Sequence, residues 1–149
     1  MNRFAALLDR LAYEPGRNAK LRQITDYLRT TPDPERGFAL AALTGALSFP
    51  HAKPGLIRTL IAERTDPVLF AMSYDYVGDL SETVALMWPA PGGCNDEAPS
   101  LAAVITTLQT LGKAELPKVL AHWLDGLDET GRWALLKLLT GALRIGVSA

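Results

Sequence analysis

Leu43-Thr44-Gly45-Ala46-Leu47 is repeated, letter for letter, as Leu139-Thr140-Gly141-Ala142-Leu143. The offset is 96 residues, and at that offset residues 22–47 align with 118–143. Eight of those 26 positions are identical, the other three being Leu28/Leu124, Arg36/Arg132 and Leu40/Leu136. Ile24/Leu120, Tyr27/Trp123, Arg22/Lys118 and Asp33/Glu129 match in kind. Within each copy the apolar residues recur at helical spacing, pause at a short acidic turn, and resume at helical spacing. Each copy therefore reads as helix, turn, helix and a Thr-Gly end. Two copies separated by about 70 unrelated residues imply a pseudo-two-fold pair, since a solenoid needs three or more adjacent copies.

Outward from the repeat the helical period continues. Phe4, Leu7, Leu8 and Leu11 mark a first helix, stopped near Pro15-Gly16. Asn18 is read as the cap of the second. Pro34 opens a third, expected to run to about Leu47, Pro54 a fourth through Arg64, and Asp66-Pro67 a fifth to about Tyr74. Asp79 or Ser81 starts another that ends at Trp88-Pro89, and residues 89–99 form the longest loop. Ser100 caps a helix to about Leu111, another follows near Glu115, and the last spans Asp128 to about Leu143. No alternating strand pattern of useful length occurs. The class is all-α, one compact domain over residues 1–149 with eight or nine helices.

Hydrophobic residues make up 48% of the 149, a globular composition. The single Cys94 has no partner for an internal disulfide, no run is apolar for the 18 or so residues of a membrane span, and the opening residues lack a signal-peptide pattern. A soluble, intracellular (cytoplasmic) monomer with no membrane role is expected. The net charge of −1 excludes a strongly basic binder, but charge is unevenly spread. Residues 1–64 carry +4, 65–131 carry −8 and 132–149 carry +3. If the two basic ends meet in space, one face suits a polyanion while the rest repels it; ordinary surface clustering accounts for the numbers equally well.

A pseudo-two-fold protein suits a pseudo-two-fold ligand such as a duplex backbone. Glycines at the two Thr-Gly ends permit close approach, and backbone N–H groups there are phosphate donors. The competing reading is that Gly45 and Gly141 end helices in the left-handed conformation.

The run Leu139-Thr-Gly-Ala-Leu-Arg144-Ile-Gly146-Val-Ser148 resembles the end of the DNA-binding domain of ATP-dependent DNA ligases, where a Gly-x-Leu-Arg-Leu/Ile-Gly segment precedes the adenylation domain. Gly78-Asp79-Leu80 resembles a Gly-Asp-Leu segment of bacterial and archaeal members, and Phe4 through Arg29 is similar to their first two helices. The resemblance implies an all-helical domain that binds nicked duplex DNA across the minor groove, through the backbone and without sequence preference. It implies as partners the adenylation and OB domains of the same polypeptide, which are absent from this chain, and ATP and Mg for the full-length enzyme. That enzyme seals nicks in repair, replication and recombination by passing AMP from a lysine to the 5′-phosphate. The implied DNA contacts are Gly141, Arg144, Gly146 and Ser148; Ala142 stands where some relatives place a second arginine. In the first repeat Thr44, Gly45 and Ala46 are equivalent, with Lys53 just beyond. Arg17 and Lys20, and by the repeat Lys113, join them at helix starts that offer N–H groups and cations.

The lysine of the family's Lys-x-Asp-Gly motif is missing: in His122-Trp123-Leu124-Asp125-Gly126 no lysine stands where the motif needs one. No catalytic residue, metal site or cofactor is therefore assigned here, and no adenylate is expected on this chain. His51 and His122 are isolated, and the acids Asp75, Asp79, Glu82, Asp96 and Glu97 read as a solvated face more readily than a cation site. Trp88, Trp123 and Trp133 read as packing residues. The principal alternative is a helical protein–protein scaffold. A small hydrolase is disfavoured because no nucleophile–base arrangement stands out.

Overall fold

A computed structural model describes residues 1–47, 49, 51, 53–89, 99–140 and 143. Among them are nine helices and no strand: α1 (Asn2–Tyr13), α2 (Arg17–Thr30), α3 (Glu35–Leu43), α4 (Pro54–Ala62), α5 (Pro67–Val77), α6 (Leu80–Met87), α7 (Leu101–Thr110), α8 (Leu116–Gly126) and α9 (Glu129–Thr140). The all-α class is as the helical period requires.

Helix starts follow local chemistry. Asp66, Asp79 and Ser100 cap α5, α6 and α7, accepting from Val68, Glu82 and Ala103 N–H groups at 2.9, 2.9 and 3.0 Å. Asp128 does the same for α9, taking the Gly131 N–H at 2.8 Å. Several boundaries differ from the sequence reading: α4 stops at Ala62, short of Arg64, and α5 runs past Tyr74 to Val77. Gly16, not Asn18, is the N-cap of α2, so no side chain caps it. α3 ends at Leu43 and does not reach Leu47, because Gly45 turns left-handed at φ 75°. Ala46 N–H then reaches back to Ala41 O at 2.9 Å and Gly45 N–H to Ala42 O at 3.2 Å, the paired bonds of a Schellman ending.

The core centres on α9, which packs between α1 and α6. Phe4, Leu7 and Leu11 of α1 and Leu135 and Leu136 of α9 are fully buried, as are Ile57 and Ile61 of α4 and Leu120 and Leu124 of α8. Each such side chain contributes about 1.5–3 kcal/mol of hydrophobic stabilisation. α3 packs on α7, α1 on α2, α5 on α6 and α4 on α8.

The two copies of the repeat are built alike but packed unlike. α2 and α3 make one copy, α8 and α9 the other. At the 96-residue offset α1 also lies opposite α7, and the packing is reciprocal: α3 lies on α7 and α9 on α1. Thr44 and Thr140 end their helices with the same hydroxyl bonds, to Leu40 O and Leu136 O, each at 2.9 Å. Arg36 and Arg132 each turn Nε back to a carbonyl at or near the end of the preceding helix, Thr31 O at 2.9 Å and Leu124 O at 2.7 Å. Burial breaks the likeness. Arg36 is exposed and Arg132 buried, and α2 buries only Tyr27 where α8 buries Leu116, Leu120, Ala121, Trp123 and Leu124.

Candidate nucleic-acid interface

Helix starts divide into two kinds. Carboxylates or a hydroxyl satisfy the openings of α5, α6, α7 and α9. α7 is held twice, since Glu35 also accepts the N–H groups of Leu101 and Ala102 at 3.1 and 2.6 Å. α1, α2 and α4 are different: none has a side-chain cap bond or an acid in its first turn, and of these α2 and α4 place an exposed cation at or beside the cap. α8 lacks a side-chain cap bond as well, but Glu115 stands at its N-cap.

α2 opens as Gly16-Arg17-Asn18-Ala19-Lys20. The Glu14 carboxylate takes the Gly16 N–H at 3.0 Å, which leaves the next three N–H groups without a side-chain acceptor among the described residues. α4 opens as Lys53-Pro54-Gly55, with Lys53 as N-cap. Arg17 and Lys53 are exposed and Lys20 is half-buried. A cation at the positive end of a helix is unfavourable by about 0.3–1 kcal/mol. A phosphate improves both openings: at α2 by taking N–H groups and pairing Arg17, at α4 chiefly by pairing Lys53, since Pro54 has no N–H and the Leu56 N–H bonds to Lys53 O at 3.0 Å. Lys113 is exposed in the turn before α8.

The first-repeat loop plays a narrower part than its sequence implied. Thr44, Gly45 and Ala46 are exposed, yet their N–H groups bond to Leu40, Ala42 and Ala41 carbonyls, and the Thr44 hydroxyl bonds to Leu40 O. Gly45 is a helix cap first. Its N–H is not a free phosphate donor, which corrects that part of the reading. An added Cβ would meet nothing within 4 Å there, so close approach of a backbone remains open.

Gly141, Arg144, Gly146 and Ser148 lie outside the described residues. The +3 of residues 132–149 is largely spent inside the fold. Arg132 donates to Leu124 O and, at 3.4 Å, to Trp88 O; burial pulls its pKa below the usual arginine value. Lys137 pairs with Asp79 at 2.5 Å. Arg144, the third cation of that stretch, lies outside the described residues.

Gly78-Asp79-Leu80 is a helix junction. Gly78 ends α5 at φ 76°, and Asp79 caps α6 while holding Lys137 of α9. Asp125 accepts from Trp88 Nε1 at 2.9 Å, on whose ring Arg64 stacks 4.7 Å from the centroid. The Trp-Leu-Asp-Gly fragment is therefore structural, and Trp88 and Trp123 are buried packing residues. No acid, histidine and cysteine cluster among the described residues is fit to hold a metal ion. No described helix is long and apolar enough to cross a membrane.

Several grooves border α1, among them one of about 300 Å³ where Arg10 lies with Asp9 and Asp128; two others differ in charge. One, of about 360 Å³, lies against α6 and α9 and carries Asp9, Glu82 and Glu129 beside Tyr13 and Trp133; it repels phosphate. The other, of about 390 Å³, lies between α1 and α2 and is lined by Arg3, Ala6, Arg10, Gln23, Asp26, Tyr27 and Thr30. The sequence reading did not single out these arginines, although the seven-residue spacing of Arg3 and Arg10 was available to find them. No family model, no curated protein and no solved structure matches the chain.

Proposed function

We propose that this chain binds the backbone of nicked duplex DNA without sequence preference, as the DNA-binding domain of an ATP-dependent DNA ligase. The observation that carries the reading is the two helix openings at Arg17–Lys20 and Lys53, each with an exposed cation, no side-chain cap and no acid in its first turn. The resemblance of residues 139–148 and 78–80 to ligase segments supports it from the sequence side. The contacts are phosphate-directed and read no base edges, so affinity is modest and strongly salt-dependent. The test is fluorescence anisotropy with a nicked duplex over a salt series. Log K falls with log salt at about 0.9 per phosphate neutralised. Arg17→Ala, Lys53→Ala and Arg144→Ala each weaken binding to all sequences alike and flatten the slope by about one unit. Unchanged slopes in all three variants overturn the reading.

One observation favours a protein–protein role as the second reading. α5 buries no residue, and Val68, Leu69, Met72 and Tyr76 are 68%, 55%, 66% and 93% exposed on one of its faces.

A further inference from the structure

The first two helices carry an arrangement of charge that the readings above leave unused. Arg3 and Arg10 lie seven residues apart on α1, two turns on the same face, and both line the groove against α2. Arg22 and Arg29 lie seven residues apart on α2, both exposed. Asp26, between them in sequence and on the adjoining helical face, lines the same groove. Arg3 and Arg10 thus line the groove, and Arg22 and Arg29 form a second row on the face of α2 next to its lining residue Asp26. At 1.5 Å per residue, each row has its guanidinium stems about 10.5 Å apart. A DNA strand carries a phosphate about every 3.4 Å along the axis, so that spacing spans three steps.

Arg3 is held in place, donating to Thr30 O and Oγ1 at 3.3 and 2.8 Å and stacking over Tyr27 at 5.6 Å. Arg10, Arg22 and Arg29 have no ion pair among the described residues, although Asp26 is within helical reach of two of them. The spread of charge along an open groove fits a polyanion better than a single phosphate, which requires donors converging on one point. Tyr27 is 4% exposed and lies beneath Arg3, so the groove offers no stacking platform for unpaired bases.

We propose that the α1–α2 groove is a second backbone contact, in which Arg3, Arg10, Arg22 and Arg29 follow the phosphates of the bound duplex beyond the helix openings at Arg17 and Lys53. The proposal rests on the DNA-binding reading and extends its footprint. Asp26 is the one carboxylate in the groove and opposes binding.

The experiment is anisotropy of a labelled nicked duplex with the full chain over a salt series. The triple variant Arg10→Ala/Arg22→Ala/Arg29→Ala loses about 2–3 units of the log K against log salt slope, at about 0.9 per phosphate. Asp26→Asn moves the other way and tightens binding about two- to fivefold at low salt, where one exposed charge counts most. Arg22→Ala and Lys118→Ala remove equal charge at repeat-equivalent exposed positions, so only the first flattens the slope. Circular dichroism and Tm confirm that each variant folds. If wild type binds but the triple variant keeps its slope, or Lys118→Ala flattens it as much as Arg22→Ala, the second contact is wrong while the DNA reading stands. If wild type binds no duplex at low salt, both fall.

Discussion

Leu40 and Leu136 hold the same position in the two copies of the repeat, yet Leu40 is 48% exposed and Leu136 is wholly enclosed. The difference lies in what covers each helix. α9 is sandwiched between α1 and α6, whereas α3 leans on α7. Leu136→Ala therefore opens a cavity in the core and costs about 2–5 kcal/mol. Leu40→Ala, at the twin position, changes stability by less than about 0.5 kcal/mol. Urea unfolding of the two variants checks this; equal losses would show the two halves to be equally packed.

Asp79 ties the start of α6 to the middle of α9. Burial works to raise its carboxyl, but the hydrogen bond from Lys137, the Glu82 and Ser81 N–H groups and the ammonium charge together hold it below the ordinary aspartate range. A depressed folded-state pKa gives stability that is fully present above the unfolded value of about 3.9 and is lost as pH falls through the folded value. Asp79→Asn flattens the acid limb of the stability profile in that window. Asp79→Ala removes the cap as well and leaves Lys137 unpaired, costing about 2 kcal/mol at neutral pH. Denaturant melts from about pH 2 to about pH 7 decide it: an acid limb identical to wild type in Asp79→Asn contradicts the assignment.

Gly45 is the place where cap and contact can be separated. At φ 75° a side chain is strained, and nothing else obstructs a Cβ. Gly45→Ala lowers stability by about 1–2 kcal/mol through the backbone alone. Because the local N–H groups already serve the helix end, the salt slope of DNA binding stays at the wild-type value. A flattened slope in a folded Gly45→Ala protein would return this loop to the interface.

Much of the fold is legible because the chain punctuates itself. Asp66-Pro67, Asp79 and Ser100 announce helix starts by residues whose side chains do the capping. α3 misleads because Ala46-Leu47 continue its apolar pattern past a glycine that has already ended it. The candidate site is harder to read. Arg132 and Lys137 look like part of a basic tail until Trp88 and Asp79, 44 and 58 residues earlier, claim them. Identical leucines at 40 and 136 contain nothing that tells which is covered, because cover comes from helices far away in sequence. The arginines of α1 and α2 were readable from their spacing, since helical period alone puts each pair on one face.

The packing of α1 on α9 also orders events in time. Among the described helices α1 finds its main partner in α9, eight elements later. About 115 residues separate the two helices, and at roughly 5–20 residues per second that is a wait on the order of 6–25 s. Through that interval α2, whose single buried residue is Tyr27, is the main neighbour α1 has already met. Pairing of α1 with α9 is thus a late, long-range step.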